Sequence, residues 1–147
     1  MWALTVAAII ERQGRYLVVE ELDQVTGLPV INQPAGHVDP GEAVLDAVRR
    51  EVREETGLDF TPEAITGLYP LKAASGKDYF RLCFTGTVPK GAVAVPEDPE
   101  ILRCHWLTRA ELAAASLRSG WVLRCLDDAL AGRRFPLDLV AEMRVER

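Results

Sequence analysis

The 23 residues Gly36–Leu58, GHVDPGEAVLDAVRREVREETGL, decide how the rest of the chain is read. Asp39-Pro40-Gly41-Glu42 has the form of a helix start: Asp39 as cap, Pro40 at the first helical position, and Glu42 three beyond the cap, as in a capping box. Val44, Ala47, Val48 and Val52 then recur at helical spacing, and Gly57 supplies the stop. The expectation is a helix of about four turns, packed by its Val/Ala face. On its wheel Glu51, Glu54 and Glu55 share one sector, bordering the apolar face. They crowd the C-terminal half, where the helix dipole disfavours anions, and like charges on one face repel. A divalent cation removes both objections; a solvated Glu/Arg face is the plainer alternative for the triplet taken alone.

Oxygen ligands select hard cations, Mg²⁺ or Mn²⁺, which enter with part of their water shell and with substrate phosphates as further ligands. That suits pyrophosphate chemistry, in which the cation neutralises the anion and acidifies a water. Gly36 allows close backbone approach, so a main-chain carbonyl can join the ligands, Ala35 being nearest. Arg50 lies beside Glu51 and Glu54 and reads as a residue that orients carboxylates by forked hydrogen bonds. The full spacing weakens the solvated-face reading. Seven set positions (Gly36, Glu42, Arg50, Glu51, Glu54, Glu55, Gly57) match a single pattern, a coincidence of order 10⁻⁹ per window at ordinary residue usage.

That pattern resembles the box of the Nudix hydrolases: Gly, five residues, Glu, seven residues, Arg-Glu, hydrophobic, any, Glu-Glu, any, Gly, hydrophobic. Gly36, Glu42, Arg50-Glu51-Val52-Arg53-Glu54-Glu55 and Gly57-Leu58 satisfy it without a departure. The resemblance implies an α/β/α sandwich around a mixed β-sheet and metal-dependent hydrolysis of a nucleoside diphosphate linked to another group. It makes Glu51, Glu54 and Glu55 the metal-site carboxylates, with the Ala35 carbonyl assisting and Glu51 alternatively serving the attacking water. Outside the box, Asn32-Gln33-Pro34-Ala35-Gly36-His37, Tyr79–Phe84, Leu117-Arg118-Ser119, Arg124-Cys125 and Gly132–Leu137 are similar to one bacterial branch of the family. That branch releases orthophosphate from hydroxymethylpyrimidine pyrophosphate, thiamine pyrophosphate and nucleoside di- or triphosphates. Many relatives add an acid from a distant loop. Glu100, six before Trp106, is the first candidate and Glu97 the second; Arg103 stands where an acid is common.

The remaining candidates have two readings each. Arg81, in an apolar strand, is a phosphate contact or an edge charge; Gln33 bonds a base or steadies a turn. His37 contacts substrate or its own loop, and Lys72 and Lys77 close over an anion or are ordinary surface. Tyr16, Tyr79 and Trp106 stack on a ring or pack the core, whereas Trp121 reads as packing for the last helix or a dimer surface.

The chain of 147 residues fits one domain, 1–147, with room for a core. A net charge of -5 argues against backbone-led binding of long nucleic acid, though not against a small phosphorylated substrate. Leu4–Ile10 is too short to span a bilayer and lacks a basic lead-in, so the expectation is a cytoplasmic protein without membrane contact, monomer or homodimer. Cys83, Cys104 and Cys125 suggest neither disulfide framework nor zinc site. Leu4–Ile10 and Arg15–Glu20 read as a hairpin, with Val30-Ile31 a short strand. Further strands are expected at Ile65–Ala74, Tyr79–Val88 (Gly86 marking a frayed end or bulge) and Ile101–Leu107. Helices are expected at Arg109–Ala115, capped by Thr108 with Glu111, and at about Gly120–Ala131. Two functions compete with orthophosphate release: pyrophosphohydrolysis of oxidised nucleoside triphosphates, and a non-catalytic module for phosphorylated ligands or RNA ends.

Overall fold

The computed structural model describes every residue except Met1, Ala74, Glu146 and Arg147. Strand β1 (Trp2–Arg12) is the axis of the fold. Its run from Val6 to Ile10 is apolar without alternation because both faces are covered. Val6, Ala8 and Ile10 face one core with Val44, Ala47, Val48 and Val52 of helix α1 (Val44–Thr56). Ala7 and Ile9 face a second core, with Leu112 of α2 (Arg109–Ala114) and Val122, Cys125 and Leu126 of α3 (Trp121–Leu130). Helices thus lie on both sides of the strands, the α/β/α arrangement expected.

The sheet is mixed. β6 (Asp78–Thr87) runs parallel to β1 over Trp2–Ile10, and β5 (Thr61–Lys72) pairs antiparallel with β6. The end expected for β5 at Ala74 lies outside the described residues. On its other edge β1 takes the short β4 (Ala35–His37), antiparallel. The opening hairpin forms through Gln13 and Gly14, both at positive φ as a type I′ turn requires. Yet β2 (Arg15–Leu22) stays with β1 for only two residue pairs. It then leaves to pair with β3 (Pro29–Asn32) and β7 (Ile101–Leu107). α2 opens with the expected capping box, Thr108 Oγ1 accepting from the Glu111 N–H. A short 3₁₀ turn, Leu137–Leu139, follows an isolated pairing of Phe135 with Ile65. No helix among the described residues is long and apolar enough to cross a membrane.

One expectation is corrected. α1 does not begin at Asp39. Gly41 stands at φ +78°, off the right-handed path, and Pro40-Gly41 form a turn, so the helix opens at Val44 with Ala43 before it. Half of the capping box survives: Glu42 Oε1 accepts from the Asp39 N–H at 3.1 Å. The cap itself comes from far along the chain, the Glu142 carboxylate accepting from the Val44 N–H at 3.2 Å.

Gly86 is no frayed end, and the bulge it marks has its extra residue in the facing strand. It pairs in register with Ile10 and Pro62, while the irregularities fall in β5, between Pro62 and Ala64 and between Ile65 and Gly67. A Cβ on Gly86 would stand 2.2 Å from the Thr61 carbonyl oxygen and 2.6 Å from the Phe60 ring. Gly86→Ala is therefore expected to destabilise by about 1–3 kcal/mol through overpacking. The denaturant midpoint measures it, and an unchanged midpoint would contradict this packing.

Candidate metal and pyrophosphate site

The site is built where β4 faces α1. The bonds from Val38 N–H to the Leu4 carbonyl and from Ala8 N–H to the Pro34 carbonyl (3.0 Å each) set the ladder. Leu4/Val38, Val6/Gly36 and Ala8/Pro34 are then the hydrogen-bonded pairs of β1 and β4. The intervening residues, Ala35 and His37, turn their N–H and C=O groups away from β1. The His37 carbonyl accepts from Arg50 Nη2 at 2.9 Å, and the Ala35 N–H donates to Glu55 Oε1 at 2.8 Å. By the same alternation the Ala35 carbonyl points to the α1 side, as a backbone ligand would need.

Gly36 lets the two elements close. A Cβ there would lie 2.2–2.3 Å from the Glu51 carboxyl atoms, so no other residue leaves that group in place. Arg50 spends its donors on orientation. Nε and Nη2 fork onto Glu42 at 2.8 and 2.9 Å, and Nη1 reaches Glu51 at 2.8 Å and Glu54 at 3.3 Å. These bonds, led by those to Glu42, raise the Arg50 pKa and hold the Glu42 carboxyl below its usual range. Lys carries one compact charge instead of this fork. Arg50→Lys is accordingly expected to lower kcat about 10–100-fold, the usual cost of losing an outer partner of a metal ligand, with KM less affected. An unchanged kcat would remove Arg50 from the site.

Burial dominates the carboxylates. It pushes Glu51 up to about 7, against the opposing Arg50 hydrogen bond. Glu55, 7% exposed, is pushed up to about 9 by burial, opposed by the Ala35 N–H and reinforced by the charges of Glu21, Glu51 and Asp98. Glu54 is freer, with 46% of its side chain exposed. Among the described residues, no three acidic, His or Cys side chains already converge at liganding distance. The donor set nonetheless fits a hard cation: three carboxylates, one buried beside only an N–H, and a carbonyl turned the same way.

The loop carrying the distant acids is docked on the end of α1. Glu97 and Asp98 N–H groups both donate to the Glu54 carbonyl (2.9 and 2.7 Å), and the Val95 N–H donates to that of Thr56. This satisfies the helix's last carbonyls and brings Asp98 to Glu55. Glu97 is exposed. Glu100 lines a cleft of about 530 Å³ together with Glu21, Leu102 and Arg118. Glu21 and Asp98 were not among the sequence candidates; Glu21 shares the cleft with Glu100, and its charge acts on Glu55. The β2–β7 register shifts beside it, with Leu102 of β7 as the extra residue opposite the Glu20–Glu21 step.

A cavity of about 430 Å³ opens beside Ala35, Gly36 and His37. Arg81, Tyr79, Trp121, Asn32 and Arg118 line it. Arg81 is 3% exposed, so it is no edge charge. Gln33 lies behind Arg81 at 2% exposure, its oxygen accepting from Arg81 Nη1 at 2.8 Å and its nitrogen donating to the Val122 carbonyl at 2.7 Å. Both ends of that amide are engaged within the protein, and Gln33 holds Arg81. His37 is exposed at the mouth, its ring 6.0 Å from that of Tyr79. Trp121 is in the wall, whereas Trp106 stacks under Arg12 and Tyr16 packs in the second core. Lys77 stands 5.7 Å over the Tyr79 ring; Lys72 is not among the cavity walls.

A family model for the NUDIX domain matches residues 1–124. The chain belongs to the Nudix family. It is 31% identical over 140 residues to phosphatase NudJ of Escherichia coli K12, covering 95% of this chain and 90% of that one. A NUDIX hydrolase from Nitrosomonas europaea is 40% identical, with a TM-score of 0.90 over 97% of this chain and 98% of that one. The solution structure of the E. coli ORF135 protein is similar at 25% identity and TM-score 0.73, covering 90% and 91%. Membership in the Nudix family carries hydrolysis of a phosphoanhydride bond in a small molecule, typically with Mg²⁺.

Proposed function

We propose that residues 1–147 form one Mg²⁺-dependent phosphohydrolase domain acting in the cytoplasm, with Mn²⁺ able to replace Mg²⁺. Its substrates are small pyrophosphates and nucleoside di- or triphosphates, from which it releases orthophosphate. Hydroxymethylpyrimidine pyrophosphate and thiamine pyrophosphate are the leading candidates, and E. coli phosphatase NudJ, similar over most of the chain, supports the phosphatase reading. The observation that carries the proposal is the Glu51 carboxyl group seated against Gly36 beside the buried Glu55, at the mouth of a ligand-sized cavity.

Glu51, Glu54, Glu55 and the Ala35 carbonyl hold the cation, which supplies charge neutralisation for the phosphates and makes water a better nucleophile. Arg50 keeps Glu51 and Glu54 in position, and Glu42 keeps Arg50 in position. Water attacks the terminal phosphorus and gives its proton to a carboxylate. The bond from that phosphorus to the bridging oxygen breaks, and orthophosphate and the shortened organic phosphate leave. We assign a share of the carboxylate's work to acids outside the box: Glu100, and Glu21 and Asp98, whose charges act on Glu55. Gly36 and His37 border the substrate at the box end of the cavity, and Arg81 borders it in the wall.

A hydrolysis screen with Mg²⁺ that identifies both products tests the proposal. Orthophosphate from a pyrimidine or thiamine pyrophosphate is the expected result. No release from nucleotide, thiamine, pyrimidine or sugar-linked pyrophosphates would end it. A far higher kcat/KM for an oxidised nucleoside triphosphate would select pyrophosphohydrolysis, and tight binding without turnover would select a ligand-binding module.

A further inference from the structure

Arg81 is a buried cation without an anion. Its Nη1 and Nη2 donate to the neutral amide oxygens of Gln33 (2.8 Å) and Asn32 (3.0 Å). Its guanidinium carbon sits 4.8 Å from the centre of the Trp121 ring, and its buried Nε has no partner. Among the described residues no carboxylate lies within ion-pair distance of it. A guanidinium withdrawn from water normally takes a carboxylate, because an unpaired buried charge is expensive. Here two amides and an indole face stand in for one. They orient the group and leave its charge uncancelled. The Cys125 thiol lies within reach of that charge: contact with Cys83 lowers its pKa, burial opposes this, and Arg81 adds a smaller lowering.

The other charges in the cavity wall are Glu21 and Arg118, which bind each other at 3.0 Å. With that pair self-neutralised, the charged side chains lining the wall sum to one positive, that of Arg81. A cavity of 430 Å³ is roughly 9 Å across if round, so any group inside it lies close to Arg81. At about 6 Å and an effective dielectric near 40, repulsion between two unit cations weakens binding about tenfold.

Resting on the phosphohydrolase reading above and ordering its candidate substrates, we infer that Arg81 makes the cavity select the pyrophosphate's organic group by charge. A neutral or anionic ring is accepted, and a permanently cationic one, such as a thiazolium, is disfavoured. The Tyr79 and Trp121 rings offer stacking to either kind of planar ring, so shape leaves the choice to charge.

The test compares thiamine pyrophosphate with its isosteric neutral analogue, in which carbon replaces the positively charged ring nitrogen. Phosphate release is measured with the full chain and Mg²⁺. The parent protein is expected to favour the neutral probe at least tenfold in kcat/KM. Asn32→Asp, which sets a carboxylate where the amide oxygen now meets Nη2, is expected to narrow that ratio threefold or more, and Arg81→Gln to narrow it likewise. Because each ratio is taken within one protein, a general loss of activity or stability cancels. If neither probe is turned over, the ratio of their inhibition constants against a hydrolysed nucleotide replaces it, with the same expected values. Equal values for the two probes, or a preference that neither substitution alters, overturn the inference while the hydrolase reading stands. A parent protein that hydrolyses no phosphoanhydride at all overturns both.

Discussion

Glu55→Gln is expected to fold and, without metal, to withstand heat better than the parent protein at about pH 8, while its turnover is expected to fall by about 100-fold or more. Both halves come from one carboxyl group. Burial raises the Glu55 pKa from 4.5 to about 9, so the folded, metal-free protein binds that proton more tightly than the unfolded chain does. Stability from this group is complete below about pH 4.5 and is lost as pH rises toward about 9. Glu51, raised to about 7, adds a slope of the same sign over a lower window. Gln resembles the protonated acid, keeps an oxygen for the Ala35 N–H and has nothing to lose on deprotonation. The Tm of the parent should therefore fall between about pH 5 and 9 while that of Glu55→Gln falls less.

Mg²⁺ should reverse the order. A cation that binds only the ionised, folded site stabilises by mass action, and it must first displace the protons that burial favours. The parent protein should gain more in Tm from Mg²⁺ at about pH 8 than at about pH 5, and Glu55→Gln should gain little at either. Thermal melts at two pH values, with and without Mg²⁺, together with kcat, decide the matter. Equal protection of both proteins by Mg²⁺, with equal kcat, would take Glu55 out of the site.

The box was legible because its chemistry is local. Spacing alone put Glu51, Glu54 and Glu55 on one sector of a helix ending at Gly57, and α1 stops there, with Gly57 at φ +72°. Ile101–Leu107 and the Thr108/Glu111 cap were equally local and lie where the sequence put them. What escaped depends mostly on distant partners. The helix starts later than the spacing predicts because Gly41, at φ +78°, takes the chain off the helical path although Glu42 still accepts from the Asp39 N–H. The start is also set by Glu142, which arrives from near the chain's end to cap Val44. The strand expected over Arg15–Glu20 stops just short of Glu21; β2 runs on to Leu22, paired with β3 and β7, and holds Glu21 where its charge reaches Glu55. Trp121 and Arg118 reach the cavity because Ile31 pairs with Leu117 and bonds on to Arg118, a contact across the chain with no periodic trace in sequence.

Gly36→Ala gives the sharper test of how tightly β4 and α1 must close. The added methyl group would occupy the place of the Glu51 carboxyl group, with all three of its terminal atoms within 2.3 Å. What it strikes is the end of a flexible side chain, so the backbone ladder between Gly36 and Val6 can persist while Glu51 swings aside. Swinging aside breaks the 2.8 Å bond to Arg50 Nη1 and removes a carboxylate from the donor set. Stability should thus change by about 1 kcal/mol or less. kcat should fall by about 100-fold, as for loss of a positioned catalytic group, and the Mg²⁺ concentration needed for half-maximal rate should rise. Shortening the displaced side chain supplies the control. Adding Glu51→Asp to Gly36→Ala relieves the clash, and the pair should recover part of the Mg²⁺ affinity that the single substitution loses. A large drop in denaturant midpoint for Gly36→Ala, with Mg²⁺ dependence unchanged, would show that the glycine serves the strand and not the carboxylate.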